Sequence, residues 1–214
     1  MPIRGYFCYT LNATDKKTCW VEMKAVKNKA QVWVFNALKE IREKLPFPLL
    51  GIDSDNGSEF INAHLLRYCE RERITFTRTR SYRKNDNCFV EQKNYSVVRK
   101  AVGYFRYDTE KELENLNELY HYYRLFVNFF LPVVKLIAKE RKGSKVKKIY
   151  DKPKTPYERV LECSEIQEEV KNRLIKEYRN LNPAEIKREM KRAWIKLWKA
   201  HKEKKELLSF TNNV

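Results

Sequence analysis

The 214-residue sequence predicts a mixed α/β domain followed by a helical C-terminal part. Three observations carry that expectation. The first half reads as hairpin, helix, strand, helix, strand, helix, an order that wraps helices over a mixed sheet. The hydrophobic share is 43%, with 13 Tyr and 11 Phe, enough apolar surface to close a core over a chain this long. Beyond Thr109 the strand patterns give way to helical periodicity, interrupted by one basic stretch.

Each element has its own signal. Residues 5–14, GYFCYTLNAT, alternate loosely and are rich in aromatic and β-branched types, as strands are. DKKT turns the chain and CWVEMKAV returns it, making an antiparallel hairpin. Asn28 and Gln31 have the spacing of a helix N-cap box, and Val34, Leu38, Ile41 and Leu45 then form one apolar face. Pro46 and Pro48 end that helix, and LLGI begins a short buried strand that runs into Asp55. Residues 61–73 read as a helix and ITFTRT as another alternating strand. SYRKNDN is a polar loop. From Phe89 to about Arg106 the pattern is helical again, with Val90, Val97, Ala101 and Phe105 on one side.

Residues 110–131 continue as an aromatic-rich helix ending at LFVNFFLP. Its Tyr122, Tyr123, Phe126, Phe129 and Phe130 suit a core better than a base-stacking platform. KERKGSKVKKIYDKPK, residues 139–154, carries eight Lys or Arg against two acids, and its Gly and Pro favour an extended segment. It reads either as a contact to a phosphate backbone or as a solvated linker. The rest is helical. Asn182-Pro183-Ala184-Glu185 supplies an N-cap, a first-turn proline and an acid, and Ile186, Met190, Trp194 and Leu197 line one face. Such a basic amphipathic helix either packs against the body or meets a membrane or partner. The chain thus divides into a core over 1–109, a helical and basic extension over 110–162, and C-terminal amphipathic helices over 163–214.

A net charge of +17 points to a polyanionic partner, with solubility as the plainer alternative. Five scattered cysteines without a C-x-x-C read as reduced thiols of a cytoplasmic protein, and three scattered histidines encode no zinc finger. No apolar run approaches the roughly 20 residues of a membrane span, and the first residues do not read as a signal peptide.

The chemistry concentrates in GIDSDNGSEF. Asp55 closes an apolar run and precedes Asn56-Gly57, a sharp-turn signal, so by itself it reads either as a turn residue or as a metal ligand. Thirty-five residues separate it from Glu91 inside CFVEQKN, where a surface glutamate near a helix start is equally ordinary. Magnesium-type ions take oxygen ligands from a few carboxylates and from substrate phosphates, so a strand-end aspartate and a helix glutamate could share one ion.

SDNGSEF and YRKNDNCFVEQKN at this spacing resemble the integrase core of bacterial insertion-sequence transposases, the DDE group with an RNase H-like fold. TLNATDKKTCW, AVKNKAQ, LYHYYRLFVNFFLPVVKL and YDKPKTPYERVL also resemble segments of that group, so the likeness covers roughly residues 5–161. The resemblance implies an RNase H-like mixed sheet with flanking helices and a helical C-terminal extension. It implies DNA transposition and integration, with strand cutting and joining that uses Mg²⁺ or Mn²⁺ at Asp55 and Glu91. Arg78, Arg80, Arg83 and Lys84 before Glu91, and Lys93 and Lys100 on its helix, are the expected DNA contacts, with a solvated basic face as the alternative. Partners would be element-end and target DNA and further transposase subunits, as a homo-oligomer or with an intact transposase. The location would be the bacterial cytoplasm, at the nucleoid when DNA-bound.

The sequence departs from the family in one decisive way. The first aspartate belongs on an opening strand just before the position of Gly5, and only MPIR precedes it here. Asp15 matches the hairpin-turn aspartate instead, and Asp53 shares the strand face of Asp55 without matching the first acid. Cys19 stands where the family has glycine. The expectation is an N-terminally truncated transposase lacking the opening strand, inactive by itself. The alternatives are a non-catalytic DNA-binding remnant that modulates an intact transposase and, more remotely, a membrane- or helix-binding protein.

Overall fold

The computed structural model describes residues 7–54, 63–78 and 98–211. Within them the architecture is mixed α/β, with three two-stranded sheets and a helical layer. Strands β1 (Tyr9–Thr14) and β2 (Val21–Val26) form the expected antiparallel hairpin, in register from Tyr9↔Val26 to Thr14↔Val21. Helix α1 (Gln31–Lys44) buries Val34, Ala37, Leu38 and Ile41. Its N-cap is Ala30 rather than Asn28. The Asn28 carboxamide instead accepts the Ala30 N–H at 2.8 Å, a turn that precedes the helix and competes with capping it.

β3 (Gly51–Ser54) pairs in parallel with β4 (Thr75–Arg78), and α2 (Ala63–Arg71) lies between them in sequence. β3 is not the buried strand its apolar lead-in suggests. Only Ser54 is buried and Leu50 is 76% exposed, because a two-stranded sheet among the described residues covers few of its own side chains. The inner face still closes a small core: Leu38, Leu65, Tyr68, Cys69 and Ile74 pack with Leu11, Ile52 and Phe76 at its margin. The helix expected up to Arg106 ends earlier. Helical α3 (Lys100–Val102) stops at Gly103, whose φ of 69° only glycine adopts freely, so Phe105 lies beyond it. Val90 and Val97 of its expected face fall outside the described residues.

Helix α4 (Glu110–Phe130) is the axis of the molecule. It starts at a capping box in which the Thr109 hydroxyl accepts the Glu112 N–H and the Glu112 carboxylate accepts the Thr109 N–H. Its aromatic residues are buried or half-buried as expected, Tyr120 and Phe129 most deeply. The same helix closes the outer edge of β2. Asn128 exchanges two hydrogen bonds with the backbone of Val21, both 2.8 Å, and Asn117 does the same with Ala25 at 3.0 and 3.2 Å. The 11 residue steps from Asn117 to Asn128 span about 16 Å of helix, close to the roughly 13 Å from Val21 to Ala25 along the strand. Between them Arg124 grips the fully buried Glu22 through two bonds of 2.6 and 2.7 Å, and Glu22 also accepts Trp20 Nε1–H at 3.0 Å.

Two further elements pack on α4. The long α7 (Pro183–Thr211) is capped by Asn182, whose side-chain oxygen accepts the Ala184 and Glu185 N–H groups at 3.0 and 3.3 Å. Its buried face is Ile186, Ala193, Leu197 and Ala200 with Met190 at the margin, so the helix packs rather than standing free. Trp194 is not on that face. It is 42% exposed and stacks on Trp198, because position 193 meets α4 and there an alanine lets the two backbones approach. One core cluster joins Val21, Met23 and Ala25 of β2, Val98 and Val102, Leu116, Leu119, Tyr120 and Val127 of α4, and Ala193 and Leu197 of α7. α5 (Pro156–Glu162) and α6 (Glu168–Asn180) complete a second cluster around Trp20, Phe129, Tyr157, Val160 and Leu174.

The basic stretch expected to be extended is extended, and it pairs with itself. β5 (Leu136–Lys142) and β6 (Lys145–Tyr150) form an exposed antiparallel ribbon.

Two measurements test this framework. Asn128→Ala leaves the buried Val21 N–H and C=O without partners, so urea denaturation should show a loss of about 2–3 kcal/mol. Glu112 is the second. Burial alone would raise its carboxyl pKa, but bonds from Lys204, the Asp108 N–H, His201 and the Thr109 N–H outweigh that and hold it down to about 2. Its stabilisation is therefore present above the unfolded value of 4.5 and is lost as pH falls from there toward about 2. The thermal midpoint should drop across that window, and Glu112→Gln should flatten the drop while lowering stability at pH 7.

Candidate functional site

β3 leads into the acidic motif. Its last described residue is Ser54, in a parallel pair with β4, and Asp55 follows it in sequence. Asp55, Glu91, Arg80, Arg83, Lys84 and Lys93 lie outside the described residues. Arg78 is the last residue of β4, exposed and in register with Ser54, so it borders the point where the acidic segment begins. Lys100 opens α3 by its backbone.

Asp53 is the carboxylate of GIDSDNGSEF that the described residues include, and it is already engaged. Its Oδ2 accepts the Lys16 ammonium at 2.6 Å and its Oδ1 accepts the Thr77 hydroxyl at 3.0 Å. A carboxylate whose charge a lysine already offsets does not fit a divalent cation. No three His, Cys, Asp or Glu among the described residues converge on a metal position. Ser54 Oγ is buried beside this site and has no hydrogen-bond partner.

Lys16 is a site residue that the sequence gave no reason to single out, because DKKT signals only a turn. That turn, Asp15 to Trp20, is tightly built. The Asp15 carboxylate accepts the Thr18 N–H and hydroxyl at 2.6 and 2.7 Å, and the Asp15 carbonyl accepts the Cys19 N–H at 2.9 Å. Cys19 closes it with φ of 64°, in the left-handed region, which is the physical reason a glycine suits this position. The turn then touches three parts of the molecule. Lys16 reaches Asp53, Lys17 pairs with Glu165 at 2.5 Å, and Lys135 Nζ donates to the Lys16 and Lys17 carbonyls at 3.0 and 2.8 Å. The end of β3 and the foot of the β5–β6 ribbon are thereby fastened to one loop.

No family model matches the chain. The chain is 41% identical over 155 residues to the uncharacterized protein y4rM of Sinorhizobium fredii, a match covering 72% of this chain. It spans 44% of that relative's length. Among solved structures, the catalytic core domain of HTLV-2 integrase in complex with magnesium matches 59% of this chain and 90% of its own, at 16% identity and a TM-score of 0.40. No helix among the described residues is long and apolar enough to cross a membrane.

The strained turn offers a direct test. Cys19→Val should be less stable than Cys19→Gly by about 1–2 kcal/mol in equilibrium unfolding, because a β-branched side chain at positive φ meets the backbone that glycine clears.

Proposed function

We propose that this chain is the integrase-type core of a DNA transposition protein, a strand-cutting and strand-joining core of the DDE group. The observation that carries the proposal is an acidic motif, SDNGSEF, that begins on Ser54 of parallel strand β3, with 35 residues between its Asp55 and the Glu91 of NDNCFVEQKN. Open parallel sheets bind ligands at their strand carboxyl ends. Asp55 and Glu91 would hold Mg²⁺ or Mn²⁺. A divalent ion there would neutralise phosphate charge and activate the attacking oxygen. Arg78, Arg80, Arg83, Lys84, Lys93 and Lys100 would hold the DNA backbone and set its position without reading its sequence.

The sheet pairing among the described residues supports an RNase H-like reading with room for a further strand. β2 has its outer edge closed by α4, while β1 pairs only with β2, and β3 only with β4, among the described residues. A strand carrying the first aspartate belongs between β1 and β3 in that reading. Asp53 is a poor candidate for the first acid, because Lys16 and Thr77 already engage both of its oxygens. Two carboxylates hold an ion more weakly than three, so Asp55 and Glu91 alone would support little strand transfer. Complete activity would require a third carboxylate at the ion. The Lys16–Asp53 pair also favours the second reading, a non-catalytic DNA-binding remnant acting on such subunits.

Calorimetric titration with Mn²⁺ tests the site. Asp55→Asn and Glu91→Gln should each weaken binding by roughly tenfold or more, while Asp53→Asn leaves it unchanged. Unaltered Mn²⁺ affinity in Asp55→Asn would remove the metal site. Robust strand transfer on terminal-repeat DNA by the chain alone would overturn its inactivity.

A further inference from the structure

The β5–β6 ribbon carries an excess of positive charge that no ion pair among the described residues offsets. Its register sets Lys139 opposite Lys148, while Glu140 faces Lys147. Like charges facing each other across an antiparallel pair destabilise it. Glu140 is the one acid in the two strands. Lys139, Lys145, Lys147 and Lys148 are exposed and form no ion pair among the described residues. A two-stranded sheet is marginal even without such repulsion, so a pattern of this kind calls for an anionic partner.

The foot of the ribbon is as firmly built as its outer part is bare. Asp151, just after β6, accepts the Lys135 N–H and the Arg159 guanidinium, each at 2.6 Å. Arg159, on α5, also donates to the Val133 carbonyl at 2.9 Å, and Val133 and Lys154 exchange backbone bonds of 2.9 and 3.2 Å. Lys135 then ties this base to the loop that holds Asp53. The result is a rigidly rooted arm beside the end of β3.

The distribution of charge over the arm identifies its partner. Side chains alternate across a strand, so Lys139, Arg141 and Lys148 share one face, and Lys145 and Lys147 share the other. An anionic membrane or an acidic protein surface would meet one face and leave the other repelling itself. The major groove of a nucleic-acid duplex, about 12 Å wide, admits a two-stranded ribbon and presents phosphates on both walls. We propose that the β5–β6 ribbon is a second nucleic-acid-binding element, an arm that enters a duplex groove and contacts phosphates from both of its faces. The proposal goes beyond the function proposed above and does not depend on Asp55 or Glu91.

The test is the salt dependence of binding by the full chain to a 20-base-pair duplex, followed by fluorescence anisotropy. Changing Lys139, Lys145, Lys147 and Lys148 together to Gln should reduce the slope of log affinity against log salt by about 3 to 4 and weaken binding by roughly tenfold or more. Replacing the same four by Arg should restore both, which separates charge from folding. Asp55→Asn with Glu91→Gln should leave the slope unchanged, so loss of the metal site and loss of the arm are read separately. An unaltered duplex slope in the four-Gln variant would overturn the proposal. So would binding to vesicles of 30% phosphatidylserine in phosphatidylcholine that the four-Gln change abolishes while duplex affinity persists.

Discussion

Two asparagine side chains hold the structure in order. A β-strand at a sheet edge presents free N–H and C=O groups, and burying them without partners is costly. β2 avoids this because Asn117 and Asn128 of α4 act as a substitute strand, each supplying one acceptor and one donor to a single residue of β2. That arrangement works only if helix and strand are parallel to within the reach of an amide, so it sets the position of α4. Arg124 on Glu22 and the Thr10–Tyr120 hydroxyl pair at 2.7 Å lock the same interface from below. Both α7 and α5 then pack on α4, and the cores follow from its placement.

Buried charge is handled in the same way throughout. Glu22 and Glu112 are both fully buried, and each has its oxygens saturated by donors. Glu112 is at once the acid of a capping box and the acceptor for His201 and Lys204 of α7, so the start of one helix is tied to the far part of another. A chain with net charge +17 repels itself, and these internal carboxylates place a share of its negative charge where it binds helices together. Among the described residues, positive charge without an ion pair is left exposed on the β5–β6 ribbon.

The Asp15–Trp20 turn joins these two themes to function. Its lysines and carbonyls contact the end of β3, the segment before α6, and the foot of the ribbon. One loop of six residues therefore sets the ribbon beside the strand from which the acidic motif departs. The cost is a left-handed Cys19.

Much of this was legible in the sequence because it is local. Alternation, helical spacing, the Asn182 cap and the proline stops are properties of neighbouring residues, and β1, β2, α1, α2, β4 and α4 lie where they indicate. Asp55 and Glu91 were singled out by the resemblance of their motifs to a known family, since a motif survives in the order of residues whatever the fold does with it. What the sequence could not determine are contacts between distant residues. Asn28 looks like a cap until its side chain is seen to close a turn, and Trp194 looks like core until α4 is seen to need an alanine at 193. The lysine of a turn became the partner of Asp53 because β3 is folded back beside it, across 37 positions of chain. By itself the sequence determined the elements, the charge and the acidic motif. Only the tertiary structure decided which edges are closed, which carboxylates are already neutralised and which cations are left free, because those depend on distance in space rather than along the chain.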